Sequence, residues 1–366
     1  MNYKDSIKEI LPVIIITILG TYFFSYVSYL LIQNMYPDSS LDIWTSWDTR
    51  HYLTIAEHGY DSSADIKNNL IAFFPLYPYL TKALTLVFRN YMLSALIISN
   101  LAYAVAAYFL YELVKLDYDK EDAYRAVIYL SVFPTAYFLH AAYTESLFLA
   151  LSIGSFYFAR KKRWRLASVL GMFAATTRIT GILLLPVLIV EYLSQKDYKL
   201  SKIKIDFLWI WIIGLGLVFY LILNYTVAGD PFYFLEVQQA SWSRKLALPY
   251  EGLLNAIRGM PGHTASGALT GDWAEIIFSV LGLAGVIYSF FRLRISYSLY
   301  VLLIWLLVTS SVIWLSIPRF TLTMFPLIIL MALFGRRRGV NFMIIFLSLI
   351  CYALFLSQFV RFRWAF

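Results

Sequence analysis

The feature that most constrains this chain is a series of uncharged apolar runs, each about 20 residues long, that recur along its 366 residues. A run of that length crosses a hydrocarbon core of about 30 Å as a helix. Only 14% of the residues are charged, whereas a soluble domain has about 25%. The runs are continuously apolar rather than alternating, which argues against a membrane β-barrel. The sequence therefore predicts an all-α, polytopic membrane protein.

The positions of the basic residues predict how the chain crosses the membrane. Lys and Arg cluster in short segments between apolar runs, most densely in residues 160–165 and 336–338. Such clusters mark the cytoplasmic side, and keeping them there gives about 11 spans in one membrane domain, residues 1–366. Two long external segments remain: residues 33–90, with interfacial helices, and residues 227–273. The net charge of +8 comes from these clusters, so it does not indicate nucleic-acid binding.

Two of the predicted crossings are too short or too interrupted to be regular spans. Residues 126–159 offer only 34 residues for a hairpin, so its outer turn at Glu145 should be recessed into the membrane. Residues 166–190 have Arg178 at their centre and basic segments at both ends. We expect two short spans that meet at Arg178, because a charge at membrane depth is tolerated where it lines a cavity. A single crossing is the alternative.

Asp48 is the strongest candidate for a catalytic group. It follows Trp47 in the first external segment, and a helix there would place His51 three residues along, next to Tyr52. The aromatic residues would hold such a helix at the level of the lipid headgroups. A carboxylate at the membrane surface suggests acid–base chemistry on a lipid-linked substrate. A solvated acidic loop is the alternative interpretation.

Two arginines are predicted on the same face of the membrane as Asp48. Arg178 and Arg319 lie at outer turns, where a guanidinium can hold a lipid phosphate through two hydrogen bonds. Asp48 would accept the proton of an attacking hydroxyl while the arginines stabilise the departing phosphate. Structural ion pairs are the alternative role for each arginine. The residues expected to bind substrate or to support the site are Trp47, His51, Tyr52, Glu145, Gln239 and Trp242.

The sequence lacks the signals of several cofactors. Its four histidines form no His-Glu-x-x-His motif, and its only cysteine, Cys351, has no partner for a metal cage. It contains no Walker loop. We therefore expect no metal, no cofactor and no soluble nucleotide donor.

Several short motifs occur in one order along most of the chain. They are Trp47-Asp48 with Tyr52, Ile55-Ala56 and Gly59-Tyr60; Phe73-Phe74-Pro75-Leu76-Tyr77-Pro78; Tyr143-Thr144-Glu145-Ser146-Leu147-Phe148; Arg178 with Gly181; Gly229-Asp230-Pro231 with Gln239 and Trp242; and Pro318-Arg319-Phe320. This ordered set resembles the PIG-V family, the GPI mannosyltransferase II type of integral-membrane glycosyltransferase with a GT-C fold.

The resemblance implies transfer of mannose, or a related hexose, from a dolichyl- or polyprenyl-phosphate carrier to a hydroxyl of a glycolipid, as in GPI-anchor biosynthesis. It also implies inversion at the anomeric carbon and an external or lumenal site, with the family's acid at Asp48. The adjacent pair of acids found in many relatives of this fold is absent, since Trp47 and Thr49 flank Asp48. We expect the plasma membrane for a prokaryotic source, which is favoured, and the endoplasmic reticulum for a eukaryotic one.

A transporter or flippase of lipid-linked sugars is the alternative function. Broken spans and a buried arginine also occur in transporters, which bind substrate near the midplane between related halves. Here the polar residues are predicted to lie on one face instead. A non-catalytic scaffold subunit is the third possibility.

Overall fold

The protein is built almost entirely of helices. The computed structural model describes residues 3–33, 41–60, 70–259 and 269–366. Among these residues there are sixteen α-helices, and the only strand pairing is one isolated bridge. The predicted all-α class is confirmed. Residues 34–40, 61–69 and 260–268, which belong to the two predicted external segments, lie outside the described residues.

The α-helices follow one another with short connections. In chain order they are α1 (Tyr3–Gln33), α2 (Asp48–His58), α3 (Leu76–Phe88), α4 (Tyr91–Val114), α5 (Lys120–Val132), α6 (Glu145–Arg160), α7 (Trp164–Ala175), α8 (Leu184–Ser194), α9 (Ile212–Ala228), α10 (Tyr233–Trp242), α11 (Pro249–Gly259), α12 (Ala274–Arg292), α13 (Ile295–Thr309), α14 (Ile317–Thr323), α15 (Phe325–Phe334) and α16 (Arg338–Phe359).

The described residues contain several membrane-spanning segments, as predicted. The five that are long and apolar enough to cross are Asp5–Leu31, Tyr91–Val114, Ile205–Ala228, Gly271–Arg292 and Arg338–Phe359. The pair α14 and α15, bent by 78°, makes a sixth if it is one broken span. The protein is thus a multi-pass membrane protein, but the predicted count of about 11 spans is not confirmed. Other predicted spans are short helices. For example, the 16 residues of α6 reach only about 24 Å, less than the thickness of a hydrocarbon core.

The connection between α5 and α6 lies inside the protein. α5 ends at Val132 and α6 begins at Glu145, and every residue from 133 to 144 is buried. α6 itself packs mainly between α4 and α7. The sequence placed Glu145 at the turn of this hairpin, and the structure puts that turn within the packed helices rather than on the surface.

α7 and α8 are two short helices rather than one span, as predicted. α7 ends at Ala175, and Arg178 has an extended backbone, with φ −153° and ψ 149°, in the break before α8. The chain then folds back onto α7 at Gly181, where an added Cβ would lie 2.3 Å from the backbone carbon of Ala174. A glycine at this position therefore allows the close approach that holds Arg178 at the break.

Replacing Gly181 with Ala should lower the free energy of unfolding by about 1–3 kcal/mol, because a backbone neighbour cannot move aside like a flexible side chain. Thermal unfolding of the purified protein in detergent measures the effect. Gly214→Ala in α9 is the matched control, since its new Cβ would meet only a leucine side-chain carbon at 3.7 Å. Equal unfolding temperatures for the two variants would contradict the close approach.

Pro75 and Pro78 lie at the start of α3, which is a short helix. α3 begins at Leu76 and its 13 residues reach about 20 Å. Pro78 lies in the first turn, where a missing N–H removes no helical hydrogen bond. α3 packs against α2 and α4, so it links the first external segment to the helical core.

The basic segments and Glu145 lie at opposite ends of α6. Arg160, at the last turn, lies 3.5 Å from the buried carboxylate of Glu191, which Arg294 also contacts at 3.1 Å. Glu145 is the first residue of the helix, about 22 Å away along its axis. The molecule therefore has a basic end and, separated from it by the length of one helix, the end that holds the site described next.

Candidate active site

Four charged side chains from distant parts of the sequence form one network of ion pairs. Oδ2 of Asp48 lies 2.5 Å from Nη1 of Arg319. Nε of Arg319 and Nη1 of Arg178 both contact Oε1 of Glu145. Nη1 of Arg178 also donates a hydrogen bond of 2.9 Å to Oγ1 of Thr144. The structure thus brings together the predicted catalytic acid, both predicted arginines and the predicted supporting acid.

The members of this network differ in their access to water. The side chain of Glu145 is fully buried, and that of Arg319 is 8% exposed. The side chain of Asp48 is 26% exposed. Of the two carboxylate oxygens of Asp48, only Oδ2 accepts a hydrogen bond from a side chain among the described residues, that of Arg319. Asp48 is therefore the acid that a substrate can reach, while Glu145 is enclosed behind the arginines.

The network forms part of the wall of a cavity of about 580 Å³. Pockets of this size bind small molecules in many proteins. The predicted site residues in the wall are Trp47, Asp48, His51, Tyr52, Arg178, Trp242 and Arg319. Gln239 is exposed and lies outside the wall, whereas its neighbour Gln238 lines it.

The backbone before α2 aims Asp48 into the cavity. Trp47 has φ 52° and ψ −120°, a conformation that is rare for a residue with a side chain and costs about 1–3 kcal/mol. The hydroxyl of Tyr143 accepts a hydrogen bond from the Asp48 N–H at 3.2 Å and donates one to the Ser46 carbonyl at 3.1 Å. The indole N–H of Trp47 donates to the Arg363 carbonyl at 3.2 Å. These contacts hold the strained turn and so fix the carboxylate.

Arg319 is positioned by a residue that sequence reasoning missed. The buried carboxylate of Glu275, in α12, accepts hydrogen bonds from the N–H groups of Ser316 at 2.6 Å and Ile317 at 2.7 Å. These groups lie at the start of α14, which carries Arg319. The guanidinium of Arg319 lies 4.5 Å from the centre of the Tyr143 ring. An acid near the start of an apolar span was the signal for Glu275, because such acids are costly without a partner.

Residues 362–366 complete the wall on one side. Phe362, Trp364 and Phe366 line the cavity, and the Trp364 ring meets that of Trp47 edge-on at 5.3 Å. No sequence motif indicated this role, because these residues follow the last apolar run and their contact with Trp47 depends on folding alone.

His51 lines the cavity three residues after Asp48 and is partly buried. Its ring stacks on Phe73 with 4.6 Å between ring centres. Burial lowers the pKa of His51 below its ordinary value of 6.5, and the nearby Asp48 carboxylate opposes this shift. Neutral His51 can orient a substrate hydroxyl as either a donor or an acceptor.

The lowered pKa of His51 predicts how its contribution to stability depends on pH. Below pH 6.5 the unfolded chain binds a proton at this histidine before the folded chain does. The unfolding temperature of the wild type, relative to His51→Phe, should therefore fall as the pH drops below 6.5. Thermal unfolding between about pH 5 and 8 measures this difference. The control is His58→Phe, whose histidine side chain is 66% exposed on the same helix. Parallel curves for wild type and His51→Phe would contradict the burial.

The acids of the site do not fit a divalent cation. The Arg319 guanidinium lies between the carboxylates of Asp48 and Glu145 and contacts both. A positive charge in that position repels a cation. In the part of the chain that the structure describes, no group of three or more His, Cys, Asp or Glu side chains has metal-binding geometry.

Comparison with known families decides the assignment of this chain. A family model described as mannosyltransferase (PIG-V) matches residues 21–233, more than half of the 366 residues. The chain belongs to this family. The match includes Asp48, Glu145 and Arg178, and it ends before Arg319. The resemblance found in the motifs is thus confirmed.

A solved structure shows a related fold. The crystal structure of ArnT from Cupriavidus metallidurans bound to undecaprenyl phosphate has a TM-score of 0.56 and 14% identity, over 90% of this chain and 62% of ArnT. The Archaeoglobus fulgidus oligosaccharyltransferase has a TM-score of 0.44 and 13% identity, over 96% of this chain and 55% of that protein. The ArnT likeness confirms the GT-C type of fold. This chain spans less than two thirds of either protein's length. No curated protein matches the chain by sequence.

Proposed function

We propose that the protein transfers mannose, or a related hexose, from a polyprenyl- or dolichyl-phosphate carrier to a hydroxyl of a glycolipid. The observation that carries this proposal is a cavity in which a reachable carboxylate, Asp48, lies beside arginines in a member of a mannosyltransferase family. The shared fold with ArnT, whose solved structure holds undecaprenyl phosphate, supports a lipid-phosphate donor.

Asp48 acts as the general base in this proposal. Its carboxylate takes the proton of the acceptor hydroxyl as the hydroxyl oxygen bonds to the anomeric carbon of the sugar. The bond from that carbon to the phosphate oxygen breaks at the same time, and its electron pair leaves with the phosphate. Attack from the face opposite the phosphate inverts the anomeric carbon. The leaving phosphate needs no proton, so one carboxylate is enough.

Arg178 and Arg319 act on the phosphate in this mechanism, and Glu145 holds them in place. Both arginines line the cavity, and both are bound to one oxygen of Glu145. Donors that are fixed before the reaction stabilise developing negative charge without having to reorganise. The role of Glu145 is therefore to organise the arginines, since its full burial keeps it from acting as a second base.

Aromatic side chains around Asp48 are suited to bind the sugar. Trp47, Tyr52 and Trp242 line the cavity, and Trp242 contacts Phe73 edge-on at 5.9 Å between ring centres. Aromatic rings offer apolar surface at low cost in conformational entropy, while the polar groups of the wall fix orientation. Gln238, rather than Gln239, is positioned to contact the substrate.

We place the site on the external or lumenal side of the membrane. The support is that Glu145 lies at the end of α6 opposite the basic cluster at Arg160, and short basic segments mark the cytoplasmic side. Residues 33–90 and 227–273 would then be the two external segments of a single membrane domain, residues 1–366. The membrane is the plasma membrane for a prokaryotic source, which is favoured, and the endoplasmic reticulum for a eukaryotic one.

The experiment that tests this function supplies the donor with a labelled sugar. Membranes containing the protein are incubated with polyprenyl-phosphate [¹³C]mannose, and the extracted glycolipids are analysed by mass spectrometry. We expect the label in a glycolipid, and nuclear magnetic resonance should show an anomeric configuration opposite to that of the donor. Labelling no greater than in membranes without the protein would contradict the proposal.

A further inference from the structure

The ion-pair network leaves little charge for a substrate phosphate. It contains two guanidiniums, Arg178 and Arg319, and two carboxylates, Asp48 and Glu145. Their formal charges cancel. A phosphate that approached either arginine would meet a guanidinium already shared with an acid, so the network alone is a weak source of net attraction for an anion.

A third guanidinium lines the same cavity without an acid partner. Within the described residues, no carboxylate lies at ion-pair distance from Arg244, and its Nη2 donates to the Leu315 carbonyl at 3.1 Å. Its guanidinium carbon lies 5.8 Å from the centre of the Phe320 ring, and that of Arg178 lies 4.9 Å from the same centre. Burial lowers the pKa of Arg244, but an arginine remains charged at neutral pH. The carboxylates of Glu275 and Asp48 attract this guanidinium without contacting it. The cavity therefore has, near Arg178, a third positive charge that no described carboxylate contacts.

The backbone holds Arg244 at this position from two sides. Ser243 ends α10 with φ 51°, and the N–H groups of Ser243 and Arg244 both bond to the Gln238 carbonyl. One residue further, the Lys245 carbonyl accepts a hydrogen bond of 3.0 Å from the Val312 N–H. The arginine is thus fixed between the end of α10 and the segment before α14, and it needs little ordering when a ligand binds.

We propose that Arg244 is the main anchor for the phosphate of the lipid-linked donor, with Arg178 and Arg319 completing its contacts. This inference rests on the proposed function and names a donor-binding residue for it. A phosphate at Arg244 displaces no carboxylate and meets a charge that is partly buried, where attraction is stronger than at an exposed group. Arg50 also lines the cavity and has no acid partner among the described residues. It is exposed, so water and salt weaken its attraction for a phosphate.

The test compares Arg244→Gln with the wild type in two measurements on the purified full chain. With polyprenyl-phosphate mannose as donor, we expect KM for the donor to rise about 10- to 100-fold, because the variant loses one charge-assisted hydrogen bond to the phosphate. The value of kcat should change less. In equilibrium binding, Arg244→Gln should lose most of the preference of the wild type for polyprenyl phosphate over uncharged polyprenol. Arg244→Lys, which keeps the charge, should recover part of both.

Lys245→Gln is the matched control, because it removes the same charge from the next residue, whose side chain is exposed and outside the cavity wall. It should leave KM and lipid binding unchanged. The role of Arg244 would be overturned if the wild type transferred sugar and Arg244→Gln kept the same KM and the same preference for the phosphate. The proposed function would stand in that case. A wild type that neither transfers sugar nor prefers polyprenyl phosphate would overturn the proposed function together with this inference.

Discussion

Replacing Asp48 with Asn is expected to lower the rate of sugar transfer about 10²- to 10⁴-fold, the range that a positioned general base contributes. Asparagine has nearly the same shape, so it keeps the cavity, but its amide cannot accept the proton of the acceptor hydroxyl. The initial rate of transfer from a polyprenyl-phosphate sugar in proteoliposomes measures the effect.

The Asp48→Asn result needs a control for the loss of a negative charge. Asp197→Asn serves, because the Asp197 side chain is 70% exposed and its ion pair with Lys202 lies on the surface. That variant should keep the full rate. If Asp48→Asn also kept the rate, with the same amount of folded protein, Asp48 would not be the base.

Replacing Glu145 with Gln is expected to lower the free energy of unfolding by about 3–5 kcal/mol, the cost of removing one partner from a buried ion pair. Glu145 binds two arginines through one oxygen, and without its charge the guanidiniums of Arg178 and Arg319 would repel each other in a buried environment. The midpoint and cooperativity of thermal unfolding in detergent measure this loss.

The matched control for Glu145 is Glu121→Gln, which changes an exposed acid in the first turn of α5. Surface changes of this kind alter stability by about 0.5 kcal/mol or less. If both variants unfolded at the wild-type temperature, the two arginines would not depend on Glu145, and the organising role assigned to it would be wrong.

Much of the fold could be predicted from the sequence because the membrane imposes simple rules. Long apolar runs marked the five long spans, and basic segments on both sides of residues 166–190 required the break that the structure has at Arg178. Length alone could not give the number of crossings. The axes of α14 and α15 differ by 78° at a break. Their sequence does not determine whether the two helices together cross the membrane once.

The charged residues of the candidate site were predictable in part, whereas the contacts between them were not. Sidedness alone grouped Asp48, Arg178 and Arg319, which the structure brings together. That Glu145 joins the two arginines could not be predicted, because Arg319 lies 174 residues further along the chain. Gln238 and Gln239 are adjacent, so their side chains leave the helix about 100° apart. The order of the motifs could not show which of the two faces the cavity.

The most direct measurement of the central claim follows both parts of the donor at once. The protein is reconstituted into vesicles with mannosyl polyprenyl phosphate labelled in the sugar and in the lipid, together with a total lipid extract that provides acceptors. We predict that labelled glycolipid and free polyprenyl phosphate form in equal amounts, and that neither forms with Asp48→Asn. Donor that crosses the bilayer intact, with no labelled glycolipid, would contradict sugar transfer and indicate a flippase.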